Sequence, residues 1–149
     1  MKRILLLCVI LAWAPLTTAD IDLNLSSYNG KVVIVDFWAS WCVPCRRSFP
    51  WMNEMHDKYA DYGLVIIAVN VDRSADDAAR FLAKYPARFQ IVYDPHGQLA
   101  KEYGVEVMPT SIIMDRTGEI IDRHAGFKVR KQDEYEATIV AALKLESKE

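Results

Sequence analysis

Two apolar runs, Val32 to Phe37 and Leu64 to Val69, constrain this chain more than anything else in it. Each is continuous rather than alternating and rich in β-branched residues, the pattern of strands covered on both faces, as in the interior of a parallel sheet. Between them, Phe49, Met52, Met55 and Tyr59 recur at helical spacing, and Pro50 lies inside that stretch, where a proline is expected to kink the helix. The predicted unit is a right-handed strand, helix, strand crossover with its two strands adjacent and parallel.

The rest of the chain alternates in the same way. Ser74 has the chemistry of an N-cap, with Asp77 in the first turn and Ala78, Phe81, Leu82 and Tyr85 forming one stripe. Phe89 to Tyr93 then reads as a short strand and Gln98 to Tyr103 as a short helix. Ser111 to Asp115 and Glu119 to Arg123, joined through Arg116-Thr117-Gly118, read as a hairpin. A last helix begins near Lys131 and turns Tyr135, Ile139, Ala142 and Leu143 to one side. No repeat, low-complexity tract or Gly/Ser linker divides the chain, so one mixed α/β domain is expected.

The start of the chain differs. Met1-Lys2-Arg3, the apolar run Ile4 to Ala14, and Thr17-Thr18-Ala19 have the charged, apolar and small-residue regions of a secretory signal. The expected division is therefore a signal over 1–19, carrying Cys8 with it, and a domain over 20–149, exported to the periplasm. An uncleaved anchor is the lesser expectation, since the run is shorter than the roughly 20 residues that span a bilayer. With 18 Lys and Arg against 20 Asp and Glu, nothing suggests a nucleic acid or an anionic membrane surface as partner. A monomer is expected.

Beyond residue 19 the only cysteines are Cys42 and Cys45, in Trp41-Cys42-Val43-Pro44-Cys45, just after the first strand and at the start of the first helix. Unpaired amides and the helix dipole stabilise a thiolate there. As a structural staple so short a loop is poor, because closing it removes little unfolded-state entropy. A catalytic dithiol is the better reading, with Cys42 attacking, Cys45 resolving, and the Cys42–Cys45 disulfide as the redox group without a further cofactor or metal. Asp36 interrupts the first apolar run, and a carboxylate buried there is costly to ionise, which raises its pKa. His56, His96 and His124 are scattered without ligand spacing and read as surface residues.

Three stretches together resemble the thioredoxin superfamily: Val35 to Arg46 around the two cysteines, Pro50 five residues past the second cysteine, and Met108-Pro109-Thr110 ahead of Ser111 to Met114. Within it, Asn29-Gly30-Lys31 leading the first strand and the extra helix and strand over about 74–94 look most like the exported TlpA-like, or ResA-like, reductases. The resemblance implies a thioredoxin fold, a central mixed sheet flanked by helices, with a helix-strand insertion before a cis-proline segment. It also implies residue roles. Because Arg73 stands where many TlpA-like proteins place an acid, Asp36 would relay the proton of Cys45, with Asp72 as an alternative. Pro109 would be the cis-proline, and Met108, Trp41 and Gly126 would line the substrate groove. Trp38 would support the motif from the core, and Pro44 would start the helix.

The activity implied is an exported thiol:disulfide oxidoreductase. With Val43-Pro44 between the cysteines, and no histidine, it resembles reductants more than oxidants. Disulfide-bearing exported proteins, cytochrome c apoproteins among them, would be its substrates, and a membrane electron-transfer protein its reductant. The rival readings are a disulfide-donating oxidase and a copper carrier using Cys42 and Cys45. A carrier would want a third ligand before Pro109, where the chain offers only Met108.

Overall fold

The computed structural model describes residues 22–144. The expected signal over 1–19, with Cys8, lies outside them. The elements follow as β1 (Val32–Trp38), α1 (Cys45–Tyr59), β2 (Leu64–Asn70), α2 (Ala75–Lys84), β3 (Gln90–Tyr93), α3 (Gln98–Glu102), β4 (Thr110–Met114), β5 (Ile120–Ala125) and α4 (Gln132–Leu143), with short 3-10 turns at Leu25–Tyr28, Ala60–Tyr62 and Val129–Lys131. The strands form one mixed sheet in the order β3-β2-β1-β4-β5. β1 runs parallel to β2 and β2 to β3, while β4 is antiparallel to both β1 and β5.

The continuous apolar runs have the explanation their pattern suggests. All seven residues of β1 are buried, since the strand is central and covered on both faces. On one face Val32, Ile34 and Trp38 pack with Leu64 and Ile66 of β2 against Phe49, Met52 and Met55 of α1, Ala78 and Phe81 of α2, and Ile139 and Leu143 of α4. On the other, Val33, Val35 and Phe37 pack with Ile67, Val69, Ile112 and Met114 against Leu99 and Ala100 of α3 and against Leu23. Asp36 has the register of Ile34 and Trp38 and so belongs to the first face, the one that also holds both cysteines.

The helix-strand insertion is α2 and β3, which extend the sheet beyond β2. Their local details differ from the sequence expectation at one point. Ser74 stands at the N-cap position of α2 in an extended conformation, but its side chain makes no capping bond, and only its carbonyl is used, by the Asp77 amide at 3.2 Å. The capping carboxylate the sequence reading missed is Asp94. Fully buried, it accepts the amides of Gln98 at 2.7 Å and Ala100 at 3.0 Å, pairing two orphan donors of α3. No helix among the described residues is long and apolar enough to cross a membrane.

Candidate active site at the Cys42–Cys45 pair

β1 ends at Trp38, and the chain turns once, through the Cys42 amide bonded to the Ala39 carbonyl at 3.1 Å, before α1 begins at Cys45. Cys42 therefore lies just ahead of the first helical turn rather than within it. The turn places its sulfur over the helix end: the Cys45 amide donates to Cys42 Sγ at 3.2 Å. The amides of Arg46, Arg47 and Ser48 are already engaged with the carbonyls of Val43 and Pro44. The two cysteines are joined in a disulfide. Cys42 retains 3% exposure and Cys45 none, so an incoming group reaches Cys42 first.

The turn is braced from two sides. Asp72, just past β2, accepts the Ser40 amide at 2.8 Å, the Ser40 hydroxyl at 3.0 Å and the Asn70 side-chain amide at 2.8 Å. Its carboxylate is committed to holding the chain two residues before Cys42. Beneath, Trp38 packs on Phe49 and Phe81 with ring centroids 4.8 and 4.7 Å apart, and Phe49 meets Phe81 at 4.9 Å. This aromatic cluster ties the end of β1 to the start of α1, each pair adding about 0.5–1.5 kcal/mol beyond its burial.

Asp36 is wholly buried. Removal from water pushes its carboxyl up to about 7, against a smaller opposing effect from the Ser111 hydroxyl, which donates to Asp36 Oδ1 at 2.5 Å. Its second oxygen has no hydrogen-bond partner among the described residues. Such a group changes charge near neutrality, where a thiol-exchange reagent works.

The Met108–Pro109 peptide is cis. Thr110 pairs with Phe37, so Pro109, the residue just before β4, stands beside the end of β1, and Met108 packs on the cluster containing both cysteines. The Gly126 amide donates to the Pro109 carbonyl at 2.7 Å, which brings the end of β5 beside the cis bond. With φ at +80° and open space where a Cβ would stand, Gly126 suits its position through its backbone. Trp41 is 66% exposed, and Val43 and Val107 are about half exposed, so apolar side chains flank both Cys42 and the cis-proline segment. Among the described residues no third His, Cys, Asp or Glu joins the two cysteines in a metal-binding group.

Two of the three histidines depart from the surface reading: His56 on α1 is half-buried, with its Nδ1 buried and unpartnered among the described residues, and His124 is covered more specifically. His124 on β5 is half-buried, with its ring 4.4 Å from that of Tyr135, and burial pushes its pKa down. Nothing in a lone histidine on an edge strand signals this, because α4, which covers it, comes from elsewhere in the chain.

Residues 14–139 match the family model described as Redoxin. The thiol-disulfide oxidoreductase ResA of Bacillus thuringiensis subsp. konkukian is 35% identical over 114 residues, or 76% of this chain and 66% of that protein, so the chain spans just under two thirds of this relative's length. Among solved structures, one described as a thiol:disulfide interchange protein, DsbE, from Chlorobium tepidum is 50% identical. It covers 80% of this chain, 84% of its own is covered, and the TM-score is 0.78. The pneumococcal exposed lipoprotein thioredoxin Etrx1 is 31% identical, with 78% and 89% covered and a TM-score of 0.67. With the mixed sheet, the disulfide at the head of α1 and the cis-proline segment beside it, the chain belongs to the Redoxin family and has the thioredoxin fold, and the relatives it resembles are thiol:disulfide oxidoreductases.

Proposed function

We propose that this protein is an exported thiol:disulfide oxidoreductase that reduces disulfides in other exported proteins, cytochrome c apoproteins among them, and is returned to its dithiol form by a membrane electron-transfer protein. The observation that carries the reading is the Cys45 amide directed at Cys42 Sγ, in the cysteine of the pair that keeps some exposure. A donor so placed stabilises a thiolate more than a thiol, which lowers the pKa from its ordinary value of about 8.5. The signal-like residues 1–19 support export, and the absence of a histidine between the cysteines supports the reducing direction.

The steps follow from the site. Cys42 thiolate attacks one sulfur of a substrate disulfide, forming a mixed disulfide and releasing the first substrate thiolate. Cys45 then gives its proton to Asp36 and attacks Cys42 Sγ. The bond to the substrate breaks, the second substrate thiolate leaves, and the Cys42–Cys45 disulfide forms. Two electrons pass from the dithiol to the substrate. Met108 and the cis-proline segment offer backbone for strand-like pairing, which tolerates many substrate sequences, and Trp41, Val43 and Val107 add apolar contact. The test is trapping: reduced Cys45→Ala should accumulate a mixed disulfide with a disulfide-bearing peptide, and Cys42→Ala should not. Trapping by Cys42→Ala alone would reverse the assignment of the two thiols.

A further inference from the structure

Asp36, Ser111 and His124 stand level on three adjacent strands, since Asp36 pairs with Ser111 across β1 and β4, and Ser111 with His124 across β4 and β5. Residues directly opposite one another in a sheet point to the same face. This polar row therefore crosses the face that holds the cysteines, most of which is apolar. Ser111 and His124 both line a small cavity of about 10 Å³, together with Ile34, Trp51, Ile113, Gly126, Phe127 and Tyr135. That is on the order of the space one water needs, and such a water wants two to four polar partners. Three converge here. Ser111 Oγ has an unused lone pair beside its bond to Asp36, and His124 Nε2 and Trp51 Nε1 are buried without hydrogen-bond partners among the described residues.

We propose that Ser111, a water in this cavity and His124 form the route by which the proton received by Asp36 reaches solvent. The inference rests on Asp36 as the acceptor of the Cys45 proton. Asp36, once protonated, passes a proton to Ser111 Oγ while the serine's own proton moves to the water, and the water passes one to His124. His124 then hands that proton from the same Nε2 to Asp122 Oδ2, 3.3 Å away, and the partly exposed carboxylate releases it to solvent. Each group ends as it began, and no electrons move. Ser111 and His124 act through Asp36 and are positioning residues.

The charges around the row suit a transient stop at His124. Burial keeps its imidazole neutral more readily than usual, Asp122 on β5 and Glu134 of α4 favour the protonated ring, Lys131 opposes it, and Tyr135 covers it. The Ser111 bond lowers the pKa of Asp36, so losing it moves that group upward.

The test is single-turnover reduction of a model disulfide by the reduced protein, followed by tryptophan fluorescence across pH 5–9 in H2O and D2O. Ser111→Ala should slow closure of the Cys42–Cys45 disulfide about tenfold, less than the ~10²–10⁴ a positioned acid-base group itself supplies. It should also move the Asp36 limb of the pH profile upward, and Ser111→Thr should restore both. His124→Gln, which keeps hydrogen bonding but cannot carry the proton, should slow closure and change the solvent isotope effect without moving the redox midpoint. Asp36→Asn separates the two claims. If it removes the limb while Ser111→Ala and His124→Gln match the parent in rate and isotope effect, the relay is wrong and Asp36 stands. If Asp36→Asn leaves the limb in place, the reading beneath the relay fails as well.

Discussion

The amide of Cys45 donates to the sulfur of Cys42 across 3.2 Å, and that contact joins the fold to the chemistry. The amide is one of the donors a helix start leaves unpaired, and the turn from Trp38 to Pro44 carries the sulfur to it. A negative charge on Cys42 is thus stabilised by backbone that no side-chain substitution removes.

In the reduced protein Cys42 should therefore alkylate well before Cys45. Iodoacetamide rates against pH should give Cys42 a pKa below the ordinary value of about 8.5, with Cys45, which is wholly buried, reacting at least tenfold more slowly. Equal rates would show that the helix start does not distinguish the two sulfurs.

Asp36 should leave a mark on stability as well as rate. Its pKa is about 7 in the folded protein against an ordinary 3.8. Between those values the folded state holds a proton that the unfolded chain has lost, so this contribution is full below about pH 4 and fades as pH rises to about 7, at roughly 1.4 kcal/mol per pH unit. His124, whose pKa is lowered, works in the opposite direction, which makes the difference between parent and variant the useful quantity. Asp36→Asn should lack the decline and gain on the parent by a few kcal/mol between pH 4 and 8, measured by urea unfolding of the oxidised protein.

Asp72 holds Ser40 by both amide and hydroxyl, so it fixes the turn ahead of Cys42. Asp72→Ala should cost about 1–3 kcal/mol, the usual result of orphaning buried donors, and should slow attack by Cys42. Asp72→Asn, which keeps one acceptor oxygen, should fall between. Unchanged rates would assign Asp72 a purely structural role.

Asp94, whose carboxylate serves α3 and not the cysteine turn, makes a control. Asp94→Ala leaves the amides of Gln98 and Ala100 without their acceptor, and about 2 kcal/mol of stability should be lost in thermal or urea unfolding. Disulfide exchange at 25 °C should be unaffected.

What could be read in the sequence was local or continuous. The β1 and β2 runs are apolar throughout because both faces are covered, and the hairpin of β4 and β5 is joined by a short turn in which Asp115 Oδ1 accepts the amides of Thr117 and Glu119. Cys42 and Cys45 announce themselves by spacing, and Asp36 by interrupting an apolar strand. What could not be read depends on register and on distant packing. That Ser111 meets Asp36 follows from how β4 slides along β1, and that His124 is covered follows from where α4 lies. Trp51 was likewise invisible as a cavity wall, being one aromatic on a helix with many apolar neighbours. Asp94 was hidden because Asp-Pro-His-Gly reads as a turn, while Ser74 has the composition of a cap without making its bond.

The direction of electron flow is the central claim, and the most direct measurement is the equilibrium of the Cys42–Cys45 pair against a glutathione redox series, followed by fluorescence of Trp38 and Trp41. A midpoint below about −200 mV, towards the thioredoxin end of the scale, is the predicted result for a protein that reduces its substrates. A midpoint near −120 mV would contradict the account, making the disulfide seen here the form that is donated.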